Sequence, residues 1–146
     1  MFENILVMTD FSPDADFAVS TAVNLAKTYK TKLTILHVIH DESNLPFYLS
    51  SLQFEELNKA IKDEVERKFE ELKEKIKLLN TIPFETKIRR GSSYAQGVME
   101  MEEETYDLVV VGSHGQSALR KFFYGSTSEK IIRRAPISVL VTKMPD

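Results

Sequence analysis

Short apolar runs alternate along this chain with longer stretches whose apolar residues recur at helical spacing. Runs rich in Val, Ile and Leu predict five strands, at residues 4–9, 32–39, 83–89, 107–111 and 137–142. Helical spacing and helix-start residues predict four helices between them, near residues 12–30, 54–79, 93–104 and 126–134. Because parallel neighbours need crossover connections, the alternation predicts an α/β fold: a doubly wound, five-stranded parallel sheet with helices on both faces.

Two of the predicted helices begin with recognisable capping residues. Ser12 precedes Pro13, and these residue types suit the cap and the first position of a helix. Ser93 is followed three residues later by Gln96, which is the spacing of a capping box. The sequence contains no internal repeat or linker, so residues 1–146 are expected to form one domain.

Composition excludes several classes of protein. Of the 146 residues, 42% are hydrophobic and 28% are charged, as in ordinary folded globular proteins. The absence of cysteine excludes disulfides and thiolate metal sites. No apolar run approaches the roughly 18 residues that a membrane span needs, and residues 1–8 lack the features of a secretory signal. We therefore expect a cytoplasmic protein that has no membrane partner.

Charge is distributed unevenly along the chain. The formal net charge of −3 argues against general nucleic-acid binding. Residues 107–146, however, carry 6 Lys and Arg against 3 Asp and Glu, whereas residues 1–106 carry 13 against 19. An anionic ligand is therefore expected to meet the C-terminal quarter of the chain.

Three of the five glycines follow the fourth predicted strand, at Gly112, Gly115 and Gly125. Glycine lets a ligand approach the backbone closely, and Ser126 and Thr127 open a helix whose free amides favour a phosphate. In open parallel sheets, ligands bind beyond the carboxyl ends of the strands where the winding reverses. The pattern therefore indicates a nucleotide site at this loop.

A purely structural interpretation of the same residues stays open. Ser126 with Glu129 is also a capping-box pattern, and two of the glycines could serve only a tight turn. Asp10, which ends the first strand, could likewise serve only as a helix cap.

Five segments together resemble the universal stress protein family, in particular its nucleotide-binding branch. They are ILVMTDFS at 5–12, LHVI at 36–39, DLVVVGSHG at 107–115, GSTSEK at 125–130 and APISVLV at 135–141. The resemblance covers nearly the whole chain. It implies the strand order 3-2-1-4-5, a homodimer, and an ATP site between the ends of the first and fourth strands. The chain departs from many ATP-binding relatives at Met8, where they have proline, and at Thr127, where a β-branched apolar residue is usual.

The resemblance also assigns roles to individual residues. It places the adenine near Thr9 and Asp10, with the Val38 backbone at its edge, and the ribose between Asp10 and Gly112. The remaining assignments concern the phosphates, which the resemblance places on Gly115, Gly125, Ser126 and Thr127. His114 is a further candidate, which could donate to a phosphate or to the ribose. The nucleotide would be ATP or AMP, with Mg²⁺ or Mn²⁺ held mainly by the phosphates.

Two classes of function follow. The first is a nucleotide-binding module that acts in signalling or the stress response through a protein partner of unknown identity. The alternative is an enzyme, either a slow ATP hydrolase or a relative of the ATP pyrophosphatases. Against the pyrophosphatase version, Thr9 to Pro13 stand where those enzymes have a Ser-Gly-Gly phosphate loop, and no Walker lysine follows a glycine-rich loop. No catalytic residue is assigned. His37 is expected to be a core or hydrogen-bonded histidine.

An uncharged edge strand predicts self-association. In the order that the resemblance implies, the strand from Ile137 to Thr142 lies at a sheet edge and carries no charge or proline. We expect it to pair with its twofold mate in a homodimer.

Overall fold

The computed structural model describes residues 2–40, 49–114 and 126–145, with the side chain of Ser126 outside the description. Its strands and helices, in chain order, are β1 (Asn4–Met8), α1 (Pro13–Tyr29), β2 (Lys32–His40), α2 (Ser51–Lys75), β3 (Glu85–Gly91), α3 (Ser93–Glu103), β4 (Leu108–Gly112), α4 (Ser126–Arg134) and β5 (Ser138–Thr142). A short 3₁₀ helix, Lys77–Thr81, follows α2. No helix in these described ranges is both long and apolar enough to cross a membrane.

All five strands are parallel and lie in the order β3-β2-β1-β4-β5, which confirms the expected fold class. β1 lies at the centre, where Val7 is level with Ile35 of β2 on one side and with Val110 of β4 on the other. The winding therefore reverses between β1 and β4. The turns that follow these two strands begin at the same edge of the sheet.

Each face of the sheet is covered by two helices. Ile5 and Val7 of β1 lie in the core formed with α1 and α2, whereas Leu6 and Met8 lie in the core formed with α3 and α4. Burial on both faces explains why the central strands are continuous apolar runs rather than alternating ones. Each fully buried aliphatic side chain contributes about 1.5–3 kcal/mol to stability.

The predicted boundaries of α2 were wrong at both ends. The helix begins at Ser51 because Ser50 caps it: the Ser50 hydroxyl accepts from the Gln53 amide at 3.2 Å, and the Gln53 side chain accepts from the Ser50 amide at 2.9 Å. It ends at Lys75 because Ile76 leaves the helical region, with φ −112° and ψ 82°. The apolar spacing continues through the 3₁₀ helix, where Leu79 is buried, so spacing alone could not locate the end.

The two predicted capping signals had different outcomes. Ser12 caps α1 as expected, accepting a hydrogen bond from the Ala15 amide at 3.2 Å. The Ser93–Gln96 capping box was wrong, since the cap of α3 is Ser92 and makes no side-chain capping bond. The Gln96 side-chain oxygen instead accepts from Arg89 Nη1 at 3.1 Å, a contact from the neighbouring strand.

Candidate functional site

The turn between β1 and α1 is held by its own side chains. The Thr9 amide donates to the Leu36 carbonyl oxygen at 2.9 Å, which extends the pairing of β1 with β2 by one residue. Thr9 Oγ1 accepts from the Phe11 amide, and Asp10 Oδ1 accepts from the Ser12 amide, both at 2.9 Å. These bonds fix the backbone on both sides of Asp10. The residue is half-buried at the carboxyl edge of the sheet.

Phe11 adopts an unusual backbone conformation in this turn. Its φ is 63°, in the left-handed region that costs a residue with a Cβ about 1–2 kcal/mol. Its ring lies 4.7 Å from that of His37 and meets Phe69 of α2 edge-on at 5.1 Å between centroids. Lys68 Nζ lies 5.7 Å from the ring centroid. The ring contacts offset the cost of the backbone conformation.

His37 is hydrogen-bonded in the way expected from its place inside a strand. Its Nδ1 lies 2.8 Å from the Thr9 carbonyl oxygen, and because a carbonyl can only accept, Nδ1 carries the hydrogen. Burial lowers the pKa of His37, against the opposing effect of this hydrogen bond. The ring is therefore neutral at pH 7. It ties the end of β1 to β2.

A cavity of about 520 Å³ opens beyond the ends of β1 and β2. This volume lies within the range of about 300–1,000 Å³ found for small-molecule sites. Asp10 and Val38, which the family resemblance places beside an adenosine group, both line it. The other lining residues come from the end of β2, from α2 and from the start of α3: His37, Ile39, His40, Ala60, Ile61, Glu64, Val65, Lys68 and Ser93.

The helix α2 forms a wall of this cavity that sequence reasoning missed. Ile61 and Val65 belong to the apolar stripe of the helix, and Glu64 and Lys68 stand beside that stripe. The stripe predicted the buried face of α2 but not what the face covers. Polar residues that border an apolar stripe are the signal that could have marked Glu64 and Lys68.

Gly112 ends β4 at a place where there is no room for a side chain. A Cβ at this position would lie 3.0 Å from the Asp14 carbonyl oxygen in the first turn of α1. The Ser128 hydroxyl of α4 donates to the Gly112 carbonyl oxygen. The absence of a Cβ therefore serves close packing of α1 against β4. This is a structural reason for the glycine, which the sequence interpretation had assigned to ligand access.

His114 contains a buried nitrogen without a hydrogen-bond partner. Its Nδ1 lies 3.0 Å from Ser113 Oγ and 3.6 Å from Asp14 Oδ2. Its Nε2 is one of two buried side-chain N or O atoms without a partner in the described part of the chain, the other being Thr31 Oγ1. Leaving such a group unpaired costs about 1–3 kcal/mol. An unpaired Nε2 at this position is a candidate to bond a ligand.

The structure brings several of the candidate residues to one edge of the sheet. Extending the register of Val7 with Val110 by two residues places Thr9 level with Gly112, so Asp10 and His114 follow neighbouring strands. Thr127 lies in the first turn of α4 and is half-buried. Gly115 and Gly125 lie outside the described residues, as does the Ser126 side chain. Within the described ranges, no three His, Asp or Glu side chains are grouped as metal ligands would be.

Comparisons with known proteins agree with this architecture. A sequence model of the universal stress protein family matches residues 1–143. A Staphylococcus haemolyticus protein that carries the family's name is 32% identical over 143 residues, covering 97% of this chain and 85% of the relative. The solved structure of UspA from Lactobacillus plantarum is 25% identical, with a TM-score of 0.79 over 95% of this chain and 96% of that chain. A universal stress protein in complex with cAMP is 23% identical, with a TM-score of 0.62 over 97% and 96% of the two chains, a likeness of fold alone.

Proposed function

The chain belongs to the universal stress protein family, and from this premise we propose that it binds an adenine nucleotide, ATP or AMP. The site lies at the carboxyl ends of β1 and β4. Bound nucleotide would let the protein act as a cytoplasmic regulator in signalling or the stress response. The observation that carries the proposal is the cavity beyond β1 and β2, because its lining includes both Asp10 and Val38.

The nucleoside part of the ligand is assigned to the described residues. The adenine lies near Thr9 and Asp10 with its edge toward the Val38 backbone, and the ribose lies between Asp10 and Gly112. A carboxylate accepts hydrogen bonds from the ribose hydroxyls, and such charge-assisted bonds are roughly twice as strong as neutral ones. The buried Nε2 of His114 supplies a further polar group on the β4 side of the switch point.

The phosphates are assigned to the start of α4. Ser126 and Thr127 open this helix, and amides at a helix N-terminus favour phosphate groups. Gly115 and Gly125, which lie outside the described residues, complete the proposed phosphate contacts. Mg²⁺ or Mn²⁺ would be held mainly by the phosphates of ATP, since these cations prefer oxygen ligands and the phosphates supply them.

Calorimetry on nucleotide-free protein tests the proposal. ATP with Mg²⁺ should bind to the wild-type chain, and Asp10→Asn should weaken binding about tenfold through loss of a charged hydrogen bond. The matched control is Asp63→Asn, which removes an exposed carboxylate that is not part of the cavity lining and should leave the affinity unchanged. Folded, nucleotide-free protein that releases no heat at millimolar ATP would contradict the proposal. Mass spectrometry of nucleotide released on denaturation then separates ATP from AMP.

The second part of the proposed function is a homodimer formed through β5. This strand is an outer strand of the described sheet, and Val139, Leu140 and Val141 are only partly buried within one chain. An uncharged edge strand is a template for pairing with another chain. Antiparallel pairing of β5 with its twofold mate would satisfy its outer backbone groups in a closed, isologous dimer.

A further inference from the structure

The turn that carries Asp10 is anchored by the residue next to it. We propose that Phe11 is a positioning residue, whose ring holds the Asp10 carboxylate where it meets the ribose hydroxyls of the nucleotide. The inference rests on the proposed function and adds a residue to which neither the sequence motifs nor the cavity lining assigns a role in binding.

The backbone conformation of Phe11 needs an explanation from its surroundings. Phe11 and Lys30 are the two described residues other than glycine with a positive φ, at 63° and 56°. Lys30 is the C-terminal cap of α1, a position where the left-handed conformation is common. Phe11 ends no helix, and it carries a bulky side chain in a region that mainly glycine, Asn and Asp visit. Its conformation must therefore be held by contacts.

Those contacts link Phe11, His37 and Thr9 into a closed ring of interactions, and Asp10 lies between two of these residues in the sequence. The Phe11 ring packs against the His37 ring at 4.7 Å, and His37 Nδ1 donates to the Thr9 carbonyl oxygen at 2.8 Å. Thr9 Oγ1 in turn accepts from the Phe11 amide at 2.9 Å. Asp10 is the residue between Thr9 and Phe11, so both of its peptide neighbours are tied to the same histidine. Removal of the Phe11 ring takes away the contact with His37 that supports this conformation and leaves only the local hydrogen bonds of the turn to hold the Asp10 backbone.

The Phe11 ring packs against residues of the cavity wall and does not itself line the cavity. His37 and Lys68 line the cavity, whereas Phe11 does not appear among the described residues that line it. The edge-on contact with Phe69 fixes the ring to α2 on the core side. Phe11 is joined directly to Asp10 along the backbone, so the inference assigns the effect of the ring to Asp10, whereas an effect through His37 or Lys68 would change binding of the base as well. Loss of the ring should therefore matter for the ribose hydroxyls and not for the base.

Calorimetry with two nucleotides separates these effects. The wild-type chain should bind ATP about tenfold more tightly than 2′,3′-dideoxy-ATP, since the latter lacks the hydroxyls that Asp10 accepts from. Phe11→Gly permits the left-handed backbone but removes the ring. It should weaken ATP binding about tenfold and change dideoxy-ATP binding less than about twofold. Phe11→Tyr keeps the ring and should bind both nucleotides as the wild type does.

A double-mutant cycle makes the test specific to Asp10. In an Asp10→Asn background, Phe11→Gly should have no further effect on ATP affinity, because the group that it positions is gone. Circular dichroism and thermal melting establish that each variant is folded. Should Phe11→Gly not fold, Phe11→Leu keeps the apolar volume without the ring and should show the same selective loss.

Four results of these experiments would contradict the role proposed for Phe11, and each would do so for a different reason. Equal losses of ATP and dideoxy-ATP affinity in Phe11→Gly would overturn the inference and make Phe11 a part of the wall that the base contacts. Additive effects of Phe11→Gly and Asp10→Asn would also overturn it. A wild-type chain that binds both nucleotides equally overturns it while leaving nucleotide binding intact. A wild-type chain that binds neither nucleotide overturns the proposed function, and the inference falls with it.

Discussion

The two outer strands of the sheet differ in how their charges are arranged. β3 carries Lys87, Arg89 and Arg90, whereas residues 138–142 of β5 carry no charge. On the β3 side, the Glu100 carboxylate of α3 accepts from Lys87 Nζ and from Arg89 Nε, both at 2.9 Å. Natural sheets protect their edges with charged side chains. The contrast supports the proposed pairing of β5 with a second copy, since charged side chains at the β3 edge are instead bound by α3 of the same chain.

The cluster around Glu100 is the most buried ionic group of the β3 edge. The Glu100 side chain is 3% exposed, and it also accepts from the Tyr106 hydroxyl at 2.7 Å. Burial alone would raise the pKa of Glu100, but the bonds from Lys87, Tyr106 and Arg89 outweigh burial and lower it. Burial and the same carboxylate raise the pKa of Tyr106 to about 12. The Glu100 carboxylate therefore stays ionised, and the Tyr106 hydroxyl stays protonated, over the neutral range.

The largest expected effect comes from removing the centre of this cluster. Glu100→Ala leaves two cations and a hydroxyl without their shared acceptor, and it should lower the free energy of unfolding by about 3 kcal/mol. Urea denaturation at fixed protein concentration measures the change. Glu102→Ala, an exposed position on the same helix, is the control and should cost less than about 0.5 kcal/mol. Similar losses in the two variants would mean that the β3 edge does not depend on the cluster.

The next effect concerns the uncharged edge. Val141→Lys places an unpaired charge in the proposed β5 interface and should weaken the dimer about a hundredfold, which yields monomer at micromolar concentration. Sedimentation velocity measures the assembly state. Thr86→Lys adds the same charge to the exposed side of the opposite edge strand and should leave the dimer intact. A wild-type chain that sediments as a monomer would end the dimer proposal. A dimer that tolerates Val141→Lys would move the interface elsewhere.

The smallest effect is a difference in pH dependence between the two edges. The pKa of Glu100 is lower in the folded chain than its usual value of 4.5, so the unfolded chain takes up the proton first as the pH falls. Its contribution to the free energy of unfolding is therefore complete above pH 4.5 and is lost as the pH falls through the lowered pKa. Urea denaturation between pH 7 and pH 3 should show this loss in the wild type and a weaker one in Glu100→Gln. The dimer dissociation constant, measured over the same pH range wherever the chain stays folded, should change little, because residues 138–142 contain no titratable group.

Most of the fold could be predicted from the sequence because its signals are local. The apolar runs located all five strands, and Ser12 with Pro13 located the start of α1. The failures occurred where a distant residue decides the outcome. Arg89 of β3 takes the Gln96 oxygen that a capping box would have used, and Leu79 continues the apolar spacing after α2 has ended.

The candidate site likewise has a part that could be predicted from the sequence and a part that depends on distant contacts. The family resemblance placed Asp10 and Val38 together, and the structure agrees, because Asp10 follows the end of β1 and Val38 lies near the end of the neighbouring strand β2. The α2 wall could not be predicted, since nothing in the spacing of Ile61 and Val65 says which strands they cover. The anchoring of Phe11 by His37 also depends on a contact across 26 residues of sequence. Such contacts exist only once the sheet has formed.

The close approach of Asp14 to Gly112 has a consequence for how the glycine-rich segment is used in sequence searches. A Cβ at position 112 would meet the backbone of α1 whether or not a ligand is bound. Any chain that keeps this helix and strand at the same separation needs glycine there for packing alone. The first glycine of the pattern therefore reports the architecture, and the power to distinguish nucleotide binders from non-binders must come from the residues after it.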